Sequence, residues 1–219
     1  MTGSDHLREI GEPIWQAQKN HPFVVELADG SLDSDAFAHW IKQDYRFLQD
    51  YARLWALAGT KAREEARMTA LLDVAHTILG TEMELHRSFA ADYGISQDEL
   101  EATEKAPTCV AYTNFLLLTA YEGSLAEIAA ALYPCMQGYL DIADHMAELA
   151  DEPHEYTPFI DTYTSDEFRE DVAWGREFVD DCWERYPGER EAMEEAFLTS
   201  AKLEYRFWEM AYTEEDWGL

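Results

Sequence analysis

The stretch from Asp33 to Thr60, DSDAFAHWIKQDYRFLQDYARLWALAGT, decides the fold class. One apolar face of it reads Phe37, Trp40, Ile41, Phe47, Leu48, Tyr51, Leu54 and Trp55. They recur at intervals of three and four, the spacing of one face of an α-helix. Asp33 or Ser34 is placed to cap it, and the preceding ADGSLDSDAF segment supplies a turn. One acid breaks the stripe: Asp44 falls where the period demands an apolar residue.

The same periodicity runs outward in both directions, and no strand alternation, internal repeat or low-complexity stretch interrupts it. Towards the N-terminus it predicts a helix over about Ser4–Asn20, capped at Ser4 or Asp5 and stopped before His21-Pro22. Towards the C-terminus it predicts one long helix over Ala62–Asp92 and a short connector at ISQDEL. Further helices are expected from Pro107 to near Gly123 and from Leu125 to Ala150. Pro153–Tyr163 reads as a short helix or turn. Thr164 with Glu167 reads as a capping box for a helix reaching Tyr186. After the Pro187-Gly188 break, a last helix runs from Glu189 to about Thr213. The expected fold is all-α, one up-and-down helical bundle, with residues 1–219 forming a single domain.

Charge narrows the partners. The chain has 16 Lys and Arg against 45 Asp and Glu, a formal net charge of −29, and only five of the cations are Lys. Such a surface repels phosphate backbones and anionic bilayers, so neither nucleic acid nor membrane is an expected partner. No run of apolar residues reaches membrane-spanning length. Trp, Tyr and Phe occur throughout, which excludes disorder and leaves adaptation to high salt as the reading of the acidic bias. Three irregularly spaced cysteines, Cys109, Cys135 and Cys182, are no disulfide framework. With an N-terminus that lacks a basic region and an apolar run, they point to the cytoplasm.

Three stripes are interrupted by residues able to do chemistry. Asp44 is the first. Glu204 sits among Met193, Phe197, Ala201, Phe207, Trp208 and Ala211. Cys135 lies at the centre of Leu125, Ile128, Leu132, Tyr139, Ile142 and Met146. Each has an ordinary explanation, since a mid-stripe Cys is usually core filler and a buried acid is often a structural partner. Three long helices aiming a thiol and two carboxylates inward, among tyrosines, favour a ligand site in the bundle interior. Two other pairs, Asp73/His76 and Glu82/His86, lie one turn apart on a single helix. Surface or core hydrogen bonding explains them better than metal binding, although they leave a metal-dependent oxygenase as a rival class. A binding module without turnover is a second rival. No G-x-S-x-G, phosphate loop or C-x-x-C is present.

HPFVVELADGSLDSDAFAHWIKQDYRFLQDYARLWALAGTKA resembles the opening signature of the thiaminase-II (TenA) family. CVAYTNFLLLTAYEGSLAEIAAALYPCMQGYLDIA resembles its central segment, and PFIDTYTSDEF and KLEYRFWEMAY resemble its two C-terminal motifs. The matches run in order from His21 to Tyr212. The resemblance implies a haem-oxygenase-like fold that binds no haem, a homotetramer, and hydrolysis of aminopyrimidines or thiamin in thiamin salvage, with no metal or organic cofactor. It implies that Cys135 is the nucleophile, that Asp44 grips the aminopyrimidine, and that Glu204 protonates the leaving group. Tyr112, Tyr139 and Tyr163 match pocket tyrosines, Tyr163 with a part in activating the thiol, and Phe47 matches a ring wall. Two positions depart from the family's pattern: Met136-Gln137 replaces a frequent aromatic pair, and Phe47 is Tyr in some members.

The acidic, Lys-poor surface predicts that salt stabilises the fold, because dense like charges repel when unscreened. Thermal melts should give a higher Tm in molar salt than in dilute buffer. Equal or greater stability in dilute buffer would count against salt adaptation.

Overall fold

A computed structural model describes residues 1–218. Among them the chain forms α1 (Gly3–Lys19), α2 (Pro22–Asp29), α3 (Ser34–Lys61), α4 (Glu65–Thr77), α5 (Met83–Asp92) and α6 (Gln97–Ala102). These are followed by α7 (Pro107–Glu122), α8 (Leu125–Tyr133), α9 (Tyr139–Leu149), α10 (Thr157–Thr164), α11 (Asp166–Arg185) and α12 (Arg190–Tyr212). No strand occurs among the described residues, so the all-α expectation holds. The chain divides into two compact units, one from residues 1–32 and 126–209, the other from residues 33–125 and 210–219.

Local chemistry sets the helix ends. Thr2, rather than Ser4 or Asp5, caps α1 through a capping box with Asp5. The helix α2 was not expected. His21-Pro22 reads as a stop, yet His21 accepts the Phe23 amide on Nδ1 and Pro22 takes the first helical position, where a missing N–H costs nothing. Gly30, at φ 79°, closes α2 in the left-handed conformation that favours glycine. Ser165 caps α11 by accepting the Phe168 amide; Thr164 is the last residue of α10, so the expected Thr164/Glu167 box does not form.

Two helices expected to be regular are interrupted by π-turns. Ile78–Glu82 lies between α4 and α5, and Pro134–Gly138 between α8 and α9. The second opens on Pro134, which has no amide to give the Ala130 carbonyl and whose ring crowds the preceding turn, so the regular ladder is broken there; Pro13 inside α1 is passed without such a turn.

In the first unit, α9 packs on α2 and α10, and α11 packs on α1 and the Pro134–Gly138 turn. Trp15, Phe23, Phe178, Phe197 and Trp208 form much of its core, each 3% exposed or less. Burial of side chains this large contributes on the order of 2–3 kcal/mol each. Polar cross-links fix the register. Gln18 donates to the Ala201 carbonyl at 3.2 Å and accepts from Trp208 Nε1 at 3.1 Å, while Tyr156 donates to the Leu32 carbonyl at 2.7 Å.

In the second unit, α3 is the central element, packed on α4, α5, α6 and α7. Its stripe is buried as the periodicity requires, Asp44 included. Gln43 is buried as well, because its amide donates to the Glu104 carbonyl and accepts the Ala106 amide, suturing the α6–α7 connection to α3. The Glu215 carboxylate accepts the Thr108 amide at 2.8 Å, neutralising the N-terminus of α7.

Candidate active site

In the first unit the site builds up from the Pro134–Gly138 turn, whose residues are almost all pinned. Pro134, Gln137 and Gly138 are buried. Met136 packs on α11 so closely that a Cβ on Gly175 would lie 2.7 Å from its Sδ. Gly138 lets the Trp15 indole approach, where a Cβ would meet Nε1 at 3.0 Å. The Gln137 side chain accepts from Arg176 at 2.7 Å and from the Tyr133 hydroxyl at 3.4 Å, and donates to Asp141 at 2.8 Å; Asp141 in turn accepts from Arg8 at 2.7 Å. Burial pushes the Tyr133 phenol up to about 12, which keeps it a donor. The Ser200 hydroxyl, fully buried on α12, donates to the Ala131 carbonyl at 2.6 Å and ties α12 to the last turn of α8.

Cys135 is held inside this frame and is half-buried, where the stripe placed it at a core centre. The other two thiols are sealed: Cys109 is 0% and Cys182 1% exposed, and burial pushes Cys109 up to about 12. No disulfide joins the three. Tyr139, one turn after Cys135, packs on Tyr163 at 5.1 Å and on Trp208 at 5.2 Å. Tyr163 is packed further by Phe159 and Phe168. Glu204 is 3% exposed and lies on α12 one turn from both Ser200 and Trp208. The first unit therefore carries the thiol, two of the tyrosines and one acid on α10, α12 and the α8–α9 segment.

The second unit carries the rest. Phe47 stacks on Tyr51 at 5.6 Å and packs on Tyr112 at 5.1 Å, and all three are buried. Asp44 Oδ2 lies 2.5 Å from His86 Nε2. The other imidazole nitrogen, Nδ1, lies 3.1 Å from the Glu82 carbonyl, which can only accept, so Nδ1 carries a proton. Burial alone favours the neutral ring; the Asp44 hydrogen bond and charge outweigh it, so the His86 imidazole titrates above its ordinary range.

Both nitrogens of His86 are thus engaged, whereas Asp73 and His76 are exposed. Core hydrogen bonding is what the Glu82/His86 pair provides. Among the described residues, no group of three or more His, Cys, Asp or Glu is gathered as metal binding requires, so the oxygenase reading finds no donor set. Sequence reasoning placed His86 in a hydrogen-bonding pair without naming Asp44 as its partner, and passed over Ser200 and Arg176. Ser200 had a signal, being polar on the α12 stripe one turn before Glu204; the guanidinium of Arg176 had none.

A family model described as "TENA/THI-4/PQQC family" matches residues 10–214. The chain belongs to the TENA/THI-4/PQQC family. Members similar to it include the aminopyrimidine aminohydrolases of Halalkalibacterium halodurans, 40% identical over all of this chain and 99% of that protein, and of Bacillus subtilis, 32% identical over all of this chain and 93% of that one. Among solved structures, a TenA homologue from P. horikoshii OT3 superposes with a TM-score of 0.92 at 30% identity, covering 97% of this chain and 99% of that one. A Shewanella denitrificans domain described as having a heme oxygenase-like fold, 14% identical, superposes at 0.79 over 96% of this chain and 92% of that one, which confirms the expected fold. No helix among the described residues is long and apolar enough to cross a membrane.

The contrast among the thiols predicts selective labelling. Limiting iodoacetamide at neutral pH should modify Cys135 in the folded protein and leave Cys109 and Cys182 until the chain unfolds. Peptide mapping that finds Cys109 or Cys182 alkylated first would mean that Cys135 is not the accessible thiol.

Proposed function

We propose that the chain is an aminopyrimidine aminohydrolase that converts an aminomethyl-aminopyrimidine, and thiamin, to the hydroxymethylpyrimidine by covalent catalysis. The observation that carries this reading is a half-buried cysteine on a π-turn whose flanking residues are each locked, in a chain whose relatives bear that name. A nucleophile needs both access and a fixed geometry, and structural cysteines need neither.

The residues would run the reaction as follows. The Asp44 carboxylate binds the amidine edge of the pyrimidine protonated on its ring nitrogen and stabilises that cationic, electron-poor form. Cys135, as thiolate, adds to a ring carbon and forms a C–S bond, with the Tyr163 hydroxyl assisting its activation. The displaced electron pair expels the group on the exocyclic methylene. Glu204 protonates the departing amine, a role suited to a carboxyl buried where carrying charge is costly. Water then adds to the methylene and returns a proton to Glu204. The C–S bond breaks, and the pyrimidine alcohol leaves. Phe47, Tyr112 and Tyr139 supply flat apolar walls for the ring. No step calls on a metal or organic cofactor.

The two units act as one catalytic domain in this proposal, which is supported by the three passages of the chain between them. Homotetramer formation is supported by large apolar side chains left exposed, among them Leu72, Leu79, Leu118 and Tyr121 at 42%, 57%, 55% and 70%. The charge of −29 supports a cytoplasmic, salt-adapted enzyme with a small-molecule substrate and without nucleic-acid or membrane partners.

Rate constants for the aminomethylpyrimidine and for thiamin test the assignment. Cys135→Ala should lower turnover of both by at least about a thousandfold while leaving ligand binding largely intact. Asp44→Asn should weaken binding as well as rate. Glu204→Gln should slow the amine substrate more than thiamin, whose thiazole leaves without a proton. Near-wild-type turnover by Cys135→Ala would exclude the covalent route, and equal slowing of both substrates by Glu204→Gln would remove it as the leaving-group acid.

A further inference from the structure

The carboxylate assigned to the pyrimidine is already half committed. Asp44 Oδ2 lies 2.5 Å from His86 Nε2, with the two side chains 8% and 6% exposed. Oδ1 makes no hydrogen bond to any described residue. His86 cannot turn away, because its Nδ1–H is anchored to the Glu82 carbonyl at the end of the first π-turn, and the Trp40 ring lies 5.9 Å from the imidazole. A buried carboxylate is costly without a partner, and the His86 imidazole, which the Asp44 hydrogen bond and charge push above its ordinary range, is the partner it has.

We propose that His86 is a positioning residue for substrate binding: it clamps one oxygen of Asp44, holds the carboxylate in one orientation, and leaves Oδ1 as the open acceptor for the N–H groups of an aminopyrimidine edge. The proposal rests on the aminohydrolase reading above and deepens it. It revises the symmetric two-oxygen grip expected from the family resemblance, since one oxygen reaches the ligand with a lone pair already spent. His86 touches no substrate atom in this account and acts only through Asp44.

The pH dependence follows from the pair. The titratable and charged groups around His86 are Asp44 and Tyr45 on α3, Glu82 on the π-turn, and Glu84 and Arg87 on its own helix. Arg87 is occupied by Glu84 and Tyr45, which leaves Asp44 and Glu82 to act on the imidazole. With the folded-state value raised above the ordinary one, the pair is intact below about pH 6.5. It is lost as pH rises through the folded value, where a neutral Nε2 lone pair would face the Asp44 carboxylate. Substrate affinity should weaken on that alkaline side.

Two measurements on the full-length protein test this. The first is a 15N-detected pH titration of the His86 imidazole in the unliganded wild type, assigned by comparison with His86→Gln. Both ring nitrogens should be protonated at neutral pH and titrate above ordinary histidine; a neutral ring at pH 7 overturns the proposal. The second compares wild type, His86→Gln and His86→Ala on the aminomethylpyrimidine. Gln keeps a neutral donor in roughly the Nε2 position and lacks the charge. His86→Gln should raise KM about tenfold or more with a smaller change in kcat, and His86→Ala should raise it further. The alkaline rise in KM should be present in wild type and absent in His86→Gln. An unchanged KM with the same alkaline limb would overturn the positioning role while leaving the aminohydrolase reading standing. Absence of turnover by wild type would instead sink that reading and this one with it. If His86→Gln fails to fold, the remaining imidazole signals are assigned by elimination with the other histidines replaced, and the titration decides alone.

Discussion

A proline in the middle of a helix cannot donate the hydrogen bond its position requires, and its ring presses on the turn before it, at a cost of roughly 3 kcal/mol or more in a regular helix. Pro134 sits in this situation between α8 and α9, and the first unit is arranged around it. The chain widens there into a π-turn, and the neighbouring helices lock the widened segment. Met136 packs on Gly175, Gly138 admits Trp15, Gln137 is fixed by Arg176, Tyr133 and Asp141, and Ser200 satisfies the Ala131 carbonyl. Cys135 stays half-buried within this frame, unlike Cys109 and Cys182, which are sealed. The frame's stability and the thiol's presentation have the same cause.

The second unit uses a related device. Its π-turn, Ile78–Glu82, ends on the carbonyl that anchors His86, and His86 in turn holds Asp44. In both units a break in helical regularity stands within a turn of the residue proposed to act. Regular helices satisfy their own backbone and leave little to couple to a neighbouring side chain; an interrupted one offers carbonyls and altered side-chain directions. The polar interactions that matter are therefore few and buried. They contrast with the many acidic groups on the surface, whose exposed pairs, such as Arg169 with Asp144, contribute little and are screened by salt.

Much of this was legible in the sequence. The stripe of α3 predicted its buried face and isolated Asp44, and the stripe of α12 isolated Glu204 in the same way, because a regular helix converts spacing directly into direction. The α8–α9 segment broke that conversion. Ile128, Leu132, Ile142 and Met146 are buried as the stripe required, but within the widened turn Cys135 lies half-exposed, and Pro134 and Gln137 are buried instead. The departure at Met136-Gln137 was visible, but its meaning depended on Gly175 and Arg176, nearly forty residues away. For α2, Pro22 was read as a terminator when the His21 side chain made it a beginning. His86 was legible only as one of two unremarkable pairs, since nothing in the sequence says that a residue 42 positions earlier will meet its Nε2.

The central claim is that Cys135, presented by the π-turn, forms a covalent bond to the pyrimidine. Rapid acid quenching of the enzyme during turnover of the aminomethylpyrimidine, followed by intact-mass and peptide mass spectrometry, tests it most directly. The account requires an adduct with the mass of the pyrimidine fragment, located on the peptide containing Cys135. An adduct on any other residue, or turnover with no adduct while a slow-reacting analogue also fails to label Cys135, would contradict it.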